Sequence, residues 1–205
     1  MKSKEYTMTQ RPNLLSRPRL AMLLSSALLI GGAHALTKEE YDAQKDQIKA
    51  SYQADKERCD SLSGTAKDVC QAEAQGKEKV AHAQLDARHE PGPKAEHDLA
   101  KAQADAAYDV AKTQCGAQEG NAKDVCEKDA KAEQVRAIET ARLHYTEASS
   151  EATGDAREAE LSKVRLQGEE AVRKAEYEAA KERCDDLSGD AKKTCGNDAK
   201  AQFAQ

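Results

Sequence analysis

The feature that most constrains this chain is a pair of cysteines eleven positions apart, which occurs three times. The segments CDSLSGTAKDVC, CGAQEGNAKDVC and CDDLSGDAKKTC occupy residues 59–70, 115–126 and 184–195. The spacers between the three copies differ in length, since the first cysteines stand at 59, 115 and 184. The sequence is therefore an array of similar supersecondary units.

Each unit repeats more than its cysteines. A tyrosine stands seven residues before the first cysteine and a lysine three before it, while a glycine stands five after it and is followed by Thr, Asn or Asp. The repeated positions are Tyr52, Tyr108 and Tyr177; Lys56, Lys112 and Lys181; Gly64, Gly120 and Gly189; Thr65, Asn121 and Asp190. The tyrosines and lysines are a candidate interaction face. Alternatively, each tyrosine is the largest core residue of its unit and each lysine its solvated partner.

The glycine and the residue after it predict a turn between two helices. A glycine suits the end of one helix, and the Thr, Asn or Asp that follows suits the N-cap of the next. The two cysteines would then lie level with each other, each roughly 7–8 Å from the turn at about 1.5 Å per residue. Among the fifteen pairings that six cysteines allow, the repeat favours the local disulfides 59–70, 115–126 and 184–195. The alternative is a thiolate metal site, although zinc sites use cysteines about two to four apart.

The composition favours thin helices over a large globular core. Residues 36–205 hold 18 Leu, Ile, Val and Phe side chains but 34 alanines. Ala, Glu, Lys and Gln are strong helix formers. The same residues contain 27 Lys and Arg against 36 Asp and Glu, a formal charge of −9, which argues against nucleic acid as a partner. A deep active-site pocket would be hard to build from such a chain, so we do not expect an enzyme or a cofactor.

The predicted fold class is all-α, an extended array of three disulfide-stapled αα-hairpins with long helices or coiled-coil-like packing. The hairpins are predicted at residues 36–90, 91–150 and 151–205, the last with a short final arm. HEPGPK at 89–94 should break the chain between helices. SSEATGD at 149–155 is a weaker break that a continuous helix could override.

Residues 1–35 have the pattern of a secretory signal peptide. Five basic residues precede the apolar run AMLLSSALLIGG at 21–32, and AHA at 33–35 resembles a cleavage site. The apolar run is shorter than the roughly twenty residues that a membrane span needs. The sequence therefore predicts export with cleavage after Ala35 and no membrane span afterwards. An uncleaved anchor is the alternative.

Histidines near the proline linker allow a second functional hypothesis. His82, His89 and His97 lie close to Glu90 and Glu96, and imidazole is a ligand for copper, nickel and zinc. The alternative is that these are solvated polar residues at helix ends. No glycine-rich phosphate loop or nucleophile elbow occurs in the sequence.

The motif Y-x3-K-x2-C-x4-G-[TND]-A-K-x2-C, together with HALTKEEYDAQKD at 34–46, resembles a family of exported proteins. These are Ala/Lys/Glu-rich helical repeat proteins of Gram-negative proteobacteria, often labelled as similar to the cell-envelope protein TolA. The resemblance implies a periplasmic location. The expected function is that of a non-enzymatic structural or interaction protein of the cell envelope, whose partner is another envelope protein or a second copy. The alternative is a metal-binding or stress-response protein that uses the histidine-containing linker and acidic helix faces.

Overall fold

The computed structural model describes residues 36–204, and within that range all regular structure is helical. The predicted signal peptide, residues 1–35, lies outside the described residues. The helices are α1 Lys38–Cys59, α2 Gly64–His89, α3 Pro93–Cys115, α4 Gly120–Ser149, α5 Gly154–Glu182 and α6 Gly189–Phe203. The predicted all-α fold class is confirmed.

Three disulfides staple successive helices together. They join Cys59 to Cys70, Cys115 to Cys126 and Cys184 to Cys195, with Cα–Cα distances of 5.5, 5.6 and 5.7 Å. Each bond lies within one hairpin, as the spacing predicts: hairpin 1 is α1–α2, hairpin 2 is α3–α4 and hairpin 3 is α5–α6. The cysteines of the described chain are all paired.

The three hairpins form one continuous open array. Within residues 36–204, each helix packs only against the helices that precede and follow it in the chain. Neighbouring helices are antiparallel, because the chain reverses at every link. The three disulfide turns therefore lie at one end of the array, and the α2–α3 and α4–α5 links lie at the other.

Both predicted breaks between hairpins are present. Residues 90–92 separate α2 from α3. Pro93 then stands in the first turn of α3, where its missing N–H does no harm. Residues 150–153 separate α4 from α5, so the weaker of the two predicted breaks does end the helix. At the start of α1, the Thr37 hydroxyl accepts from the Glu40 N–H and the Glu40 carboxylate accepts from the Thr37 N–H, a capping box.

Small side chains fill the space between helices. The buried apolar residues are Cys59, Ala74, Leu85, Ala104, Ala106, Cys115, Ala130, Ala132, Ala141, Ala179, Cys184 and Ala199. Among the described residues, Leu85 is the largest that is fully buried. Alanine lets neighbouring helix backbones approach closely, so the contacts are spread along the helices rather than gathered in one thick core.

Hairpins 1 and 2 approach each other closely at Gly76. A Cβ atom on Gly76 would lie 3.0 Å from the Cβ of Ala106 on α3. Gly168 on α5 is similar, because its Cβ would lie 3.3 Å from the Cβ of Glu139 on α4. Glycine at these positions therefore permits the packing of one hairpin on the next.

The two helices of hairpin 3 differ greatly in length, so part of α5 has no partner within its own hairpin. α6 has 15 residues, whereas α5 has 29. The first half of α5 consequently extends beyond α6 and packs only against α4. Leu166, in that half, is 62% exposed.

We predict that Gly76→Val destabilises the protein by about 1–3 kcal/mol, because the added methyl groups collide with the fixed Cβ of Ala106. Urea unfolding of the oxidised protein measures the change. The matched control is Gly196→Val in α6, where an added Cβ meets nothing within 4 Å. Equal effects of the two substitutions would contradict the proposed role of Gly76.

Reduction should lower the melting temperature strongly. Each disulfide closes a twelve-residue loop, which contributes about 3 kcal/mol in the chain-entropy model. Helices this poor in large side chains depend on being held against a partner. The double variant Cys184→Ser/Cys195→Ser should lose more helicity near its melting point than Cys59→Ser/Cys70→Ser, because α6 is the shortest helix and contacts only α5.

Circular dichroism melts with and without reductant make the measurement. Unchanged helicity and melting on reduction would show that the disulfides do not hold the hairpins together.

Candidate interaction surface

Each disulfide turn begins with a tight backbone reversal. The N–H three residues after the first cysteine donates to that cysteine's carbonyl in all three copies. The bonds run from Leu62 to Cys59 at 3.0 Å, from Gln118 to Cys115 at 2.9 Å and from Leu187 to Cys184 at 3.1 Å. The first helix of each hairpin therefore ends at or just before its cysteine. A helix that continued up to the repeated glycine would end about three to five residues later.

The repeated glycine begins the second helix rather than ending the first. Gly64, Gly120 and Gly189 have φ values of +57°, +57° and +58°, a left-handed conformation that glycine adopts at little cost. The preceding residues are extended and occupy the N-cap positions.

The prediction that the residue after the glycine caps the second helix is therefore wrong. Thr65, Asn121 and Asp190 lie inside the first turn of α2, α4 and α6. The physical reason is that the first helix has already ended at its cysteine. The glycine is needed to turn the chain into the second helix, which moves the N-cap to the residue before it.

The lysine that follows the turn has a role that the sequence pattern alone did not reveal. Lys67 Nζ lies 2.9 Å from Asp60 Oδ1, and Lys192 Nζ lies 2.8 Å from Asp185 Oδ1. In both hairpins the acid directly follows the first cysteine. The ammonium group of Lys192 hydrogen bonds to Asp185 and lowers the pKa of that carboxyl. Hairpin 2 has Gly116 at the position of the acid.

The α4–α5 link contains a fourth copy of the turn without cysteines. Gly154 has a φ of +56° and is followed by Asp-Ala-Arg, which matches the repeated Gly-[Thr/Asn/Asp]-Ala-Lys with a different base. The Arg157 guanidinium donates to the carbonyl of Glu147 at 2.6 Å and to that of Ser150 at 3.3 Å. The Ser150 hydroxyl donates to Glu160. Hydrogen bonds here take the place of the disulfide.

Two of the repeated tyrosines carry a lysine over the ring. Lys56 Nζ lies 5.3 Å from the ring centroid of Tyr52. Tyr108 has two such neighbours, Lys112 at 6.0 Å and Lys131 at 5.4 Å. These distances fall within the range of cation–π attraction. The repeated tyrosine and lysine therefore attract each other in hairpins 1 and 2.

Tyr177 differs from its two counterparts. Within the described chain, neither Lys181 nor any other cation lies over its ring; the rings with such a neighbour are Tyr52 and Tyr108. Tyr177 and Lys181 instead line a groove of about 410 Å³ between α5 and α6.

The candidate interaction face is divided into three patches. Its tyrosines and lysines lie on α1, α3 and α5, and no two of these helices pack against each other within residues 36–204. An even-numbered helix separates each patch from the next. The sequence pattern alone does not reveal this separation.

In each of hairpins 1 and 2, a tyrosine ring packs against a histidine ring at the end opposite the disulfide turn. The ring centroids of Tyr41 and His89 are 4.6 Å apart, and those of His97 and Tyr145 are 5.4 Å apart. The tyrosine lies on the first helix of hairpin 1 but on the second helix of hairpin 2, and the histidine lies on the other helix in each case. Tyr41 also donates its hydroxyl proton to Asp86 at 2.7 Å, and this hydrogen bond raises the pKa of the tyrosine.

The ring pairs hold His89 and His97 in different hairpins. His89 Nδ1 also contacts the carbonyl of Leu36 at 2.9 Å, and His97 Nδ1 lies 3.4 Å from Asp98 Oδ1. Within residues 36–204, no three His, Cys, Asp or Glu side chains are grouped as a metal site would require.

Two grooves adjoin on one face of the array. The groove between α2 and α3 has a volume of about 630 Å³, and the groove between α1 and α2 has about 290 Å³. Lys77, Ala81 and Gln84 line both grooves, so the grooves share one face of α2. The α2–α3 groove is further lined by Gly76, Val80, Ala106, Ala107, Val110 and Ala111. This surface is here called the α1–α3 face. Its apolar part is the α2–α3 groove, whereas polar and charged side chains such as Gln44, Asp55 and Arg88 line most of the α1–α2 groove.

Asp105 links α3 to α4 through a hydrogen bond. The Gln134 side-chain amide donates to Asp105 Oδ1 at 2.7 Å, and Lys101 pairs with the other carboxylate oxygen. Partial burial pushes the pKa of Asp105 upward, but the bonds from Lys101 and Gln134 outweigh it and leave the pKa lowered.

No helix within residues 36–204 combines the length and apolar character that crossing a membrane requires. Comparison of the chain with protein-family models, with curated proteins and with solved structures finds no significant match.

We predict that acid destabilises the protein partly through Asp105. A lowered folded-state pKa means that the carboxylate contributes its full stability above the ordinary value of 3.8. That contribution is lost as the pH falls through the lowered pKa. Urea unfolding between about pH 5 and pH 2 should therefore show a smaller acid-dependent loss for Asp105→Asn than for the wild type. Asp198→Asn, at an exposed position of α6, is the control and should retain the wild-type dependence.

Proposed function

We propose that this protein is a non-enzymatic structural or protein-interaction component of the cell envelope that acts in the periplasm. The observation that carries the proposal is the α2–α3 groove of the α1–α3 face, which is lined mainly by alanine and valine on an otherwise charged surface. Shallow apolar grooves between helices suit the side chains of another protein, in the manner of a helix that lies in a groove.

The lining of the α2–α3 groove supports a protein partner. Val80 on α2 and Val110 on α3 supply apolar side chains, and Ala107 adds a small one. Glu73 and Lys77 also line the groove and supply one charge of each sign. Apolar side chains with charged groups beside them are typical of a protein–protein interface.

The disulfides support an oxidising compartment. All three pairs are closed and local, and such bonds persist in the periplasm and outside the cell rather than in the cytosol. The apolar run and cleavage pattern of residues 1–35 and the resemblance to exported helical repeat proteins favour the periplasm.

The exposure of the polar and charged side chains also agrees with a structural role. Within residues 36–204 no polar or charged residue is buried. Catalytic groups usually sit in clefts where burial and neighbouring charges shift their pKa values strongly. Two of the shifted carboxyls, Asp42 and Asp98, are exposed partners of lysines one helical turn away.

In-cell photo-crosslinking tests the proposal. A photoreactive amino acid replaces Ala107, which is exposed within the α2–α3 groove, in the full-length chain expressed in a Gram-negative host. We expect a discrete crosslinked product in the periplasmic fraction. The control is the same replacement at Gln75, which is exposed on α2 outside both grooves, and it should give none.

The mass of the crosslinked product distinguishes a second copy of the chain from another envelope protein.

Amino-terminal sequencing of the recovered protein tests the predicted cleavage site, and the sequence should begin at Leu36. Equal crosslinking at both positions, or none at either, would contradict the interaction role; a full-length membrane-bound product would contradict the periplasmic location.

A further inference from the structure

The groove between α5 and α6 is rich in cations on a chain that is acidic as a whole. Four lysines line it, together with Tyr177 and a single acid, Asp185. The lysines are Lys181, Lys192, Lys193 and Lys200. The formal charge of this lining is +3, whereas the whole chain carries −5.

Two of these lysines differ from their counterparts in hairpin 2. Lys112 and Lys131 stand over the ring of Tyr108. The corresponding residues of hairpin 3 are Lys181, three before the first cysteine, and Lys200, five after the second. Among residues 36–204 neither of these two lysines forms an ion pair with a carboxylate or lies over Tyr177. Both ammonium groups are available to a ligand.

Hairpin 3 lacks two acids that hairpin 2 carries at the corresponding positions. Lys193 stands at the position of Asp124 in hairpin 2, so an acid is replaced by a base. Gly196 stands at the position of Glu127. A Cβ on Gly196 would meet nothing within 4 Å, so the glycine also removes bulk from the wall of the groove. Both changes raise the positive potential of the same space.

The remaining acid is already neutralised. Asp185 pairs with Lys192 across the turn at 2.8 Å. Lys193 pairs only with Asp190, which is 98% exposed and lies outside the groove lining. Exposed ion pairs of this kind contribute little and exchange readily. An incoming anion would therefore meet three lysines whose charge is not strongly compensated.

We propose that this groove binds a multiply charged phosphate-bearing anion. Lys181, Lys193 and Lys200 supply the charge, and Tyr177 lines the same groove. Ammonium groups bind phosphate oxygens through charge-assisted hydrogen bonds. The Cys184–Cys195 disulfide holds α5 and α6 at a fixed separation, so the binding groups are already positioned. The proposal goes beyond the envelope interaction role and does not depend on it.

Nuclear magnetic resonance titration of the oxidised mature protein with sodium pyrophosphate tests the proposal. We expect saturable shifts confined to hairpin 3 that include the Tyr177 ring. Gly196→Glu, which restores the hairpin 2 residue, should weaken binding about tenfold or more, because it places a carboxylate beside the lysines. Lys193→Asp should weaken it similarly.

The matched controls are in hairpin 2. Glu127→Gly and Lys112→Gln should leave the affinity unchanged, because those positions lie outside the groove. Circular dichroism melts should show that Gly196→Glu remains folded. Shifts spread evenly over the three hairpins, no saturable shift, or full affinity in Gly196→Glu would each overturn the proposal.

A second arm identifies the source of the phosphate. Vesicles of phosphatidylglycerol with phosphatidylcholine are compared with vesicles of phosphatidylcholine alone by co-sedimentation. Binding of the anionic vesicles that is lost in Gly196→Glu supports an anionic headgroup as the ligand. Pyrophosphate binding without vesicle binding supports a free phosphate compound.

Discussion

A disulfide near the end of each hairpin connects helices that have few large side chains with which to pack. The 18 Leu, Ile, Val and Phe residues of positions 36–205 cannot form a thick core. Burial at about 25 cal/mol per Å² of apolar surface would leave such helices close to marginal stability. The covalent bond restricts the unfolded chain and holds each pair together. Alanine and glycine then suffice for the remaining contacts.

Close helix packing also explains why the hairpins join into one array. Gly76 against Ala106 and Gly168 against Glu139 bring the backbone of one hairpin near the next. Contacts that are made only between chain neighbours leave both faces of the array accessible. A protein of this design exposes far more surface than a bundle of equal length, which suits binding better than it suits enclosing a substrate.

Repetition of the framework lets each hairpin differ at its surface. The disulfide, the left-handed glycine and the reversal at the first cysteine recur in all three copies. The side chains beside them do not. Lysines cover Tyr108 in hairpin 2, whereas the corresponding lysines of hairpin 3 leave Tyr177 uncovered. Exposed positions can change in this way because the staple, rather than these side chains, maintains the fold.

The sequence by itself determined the local architecture. The spacing of Cys59 and Cys70 around Gly64 predicts a stapled helical hairpin, because helix geometry and disulfide geometry act over a dozen residues. Tertiary structure alone decided the rest. It placed the glycine at the start of α2 instead of the end of α1, because the chain reverses directly after the first cysteine. It also decided that Gly76 meets Ala106, because packing between hairpins depends on the shapes of surfaces far apart in the chain, which no local pattern records.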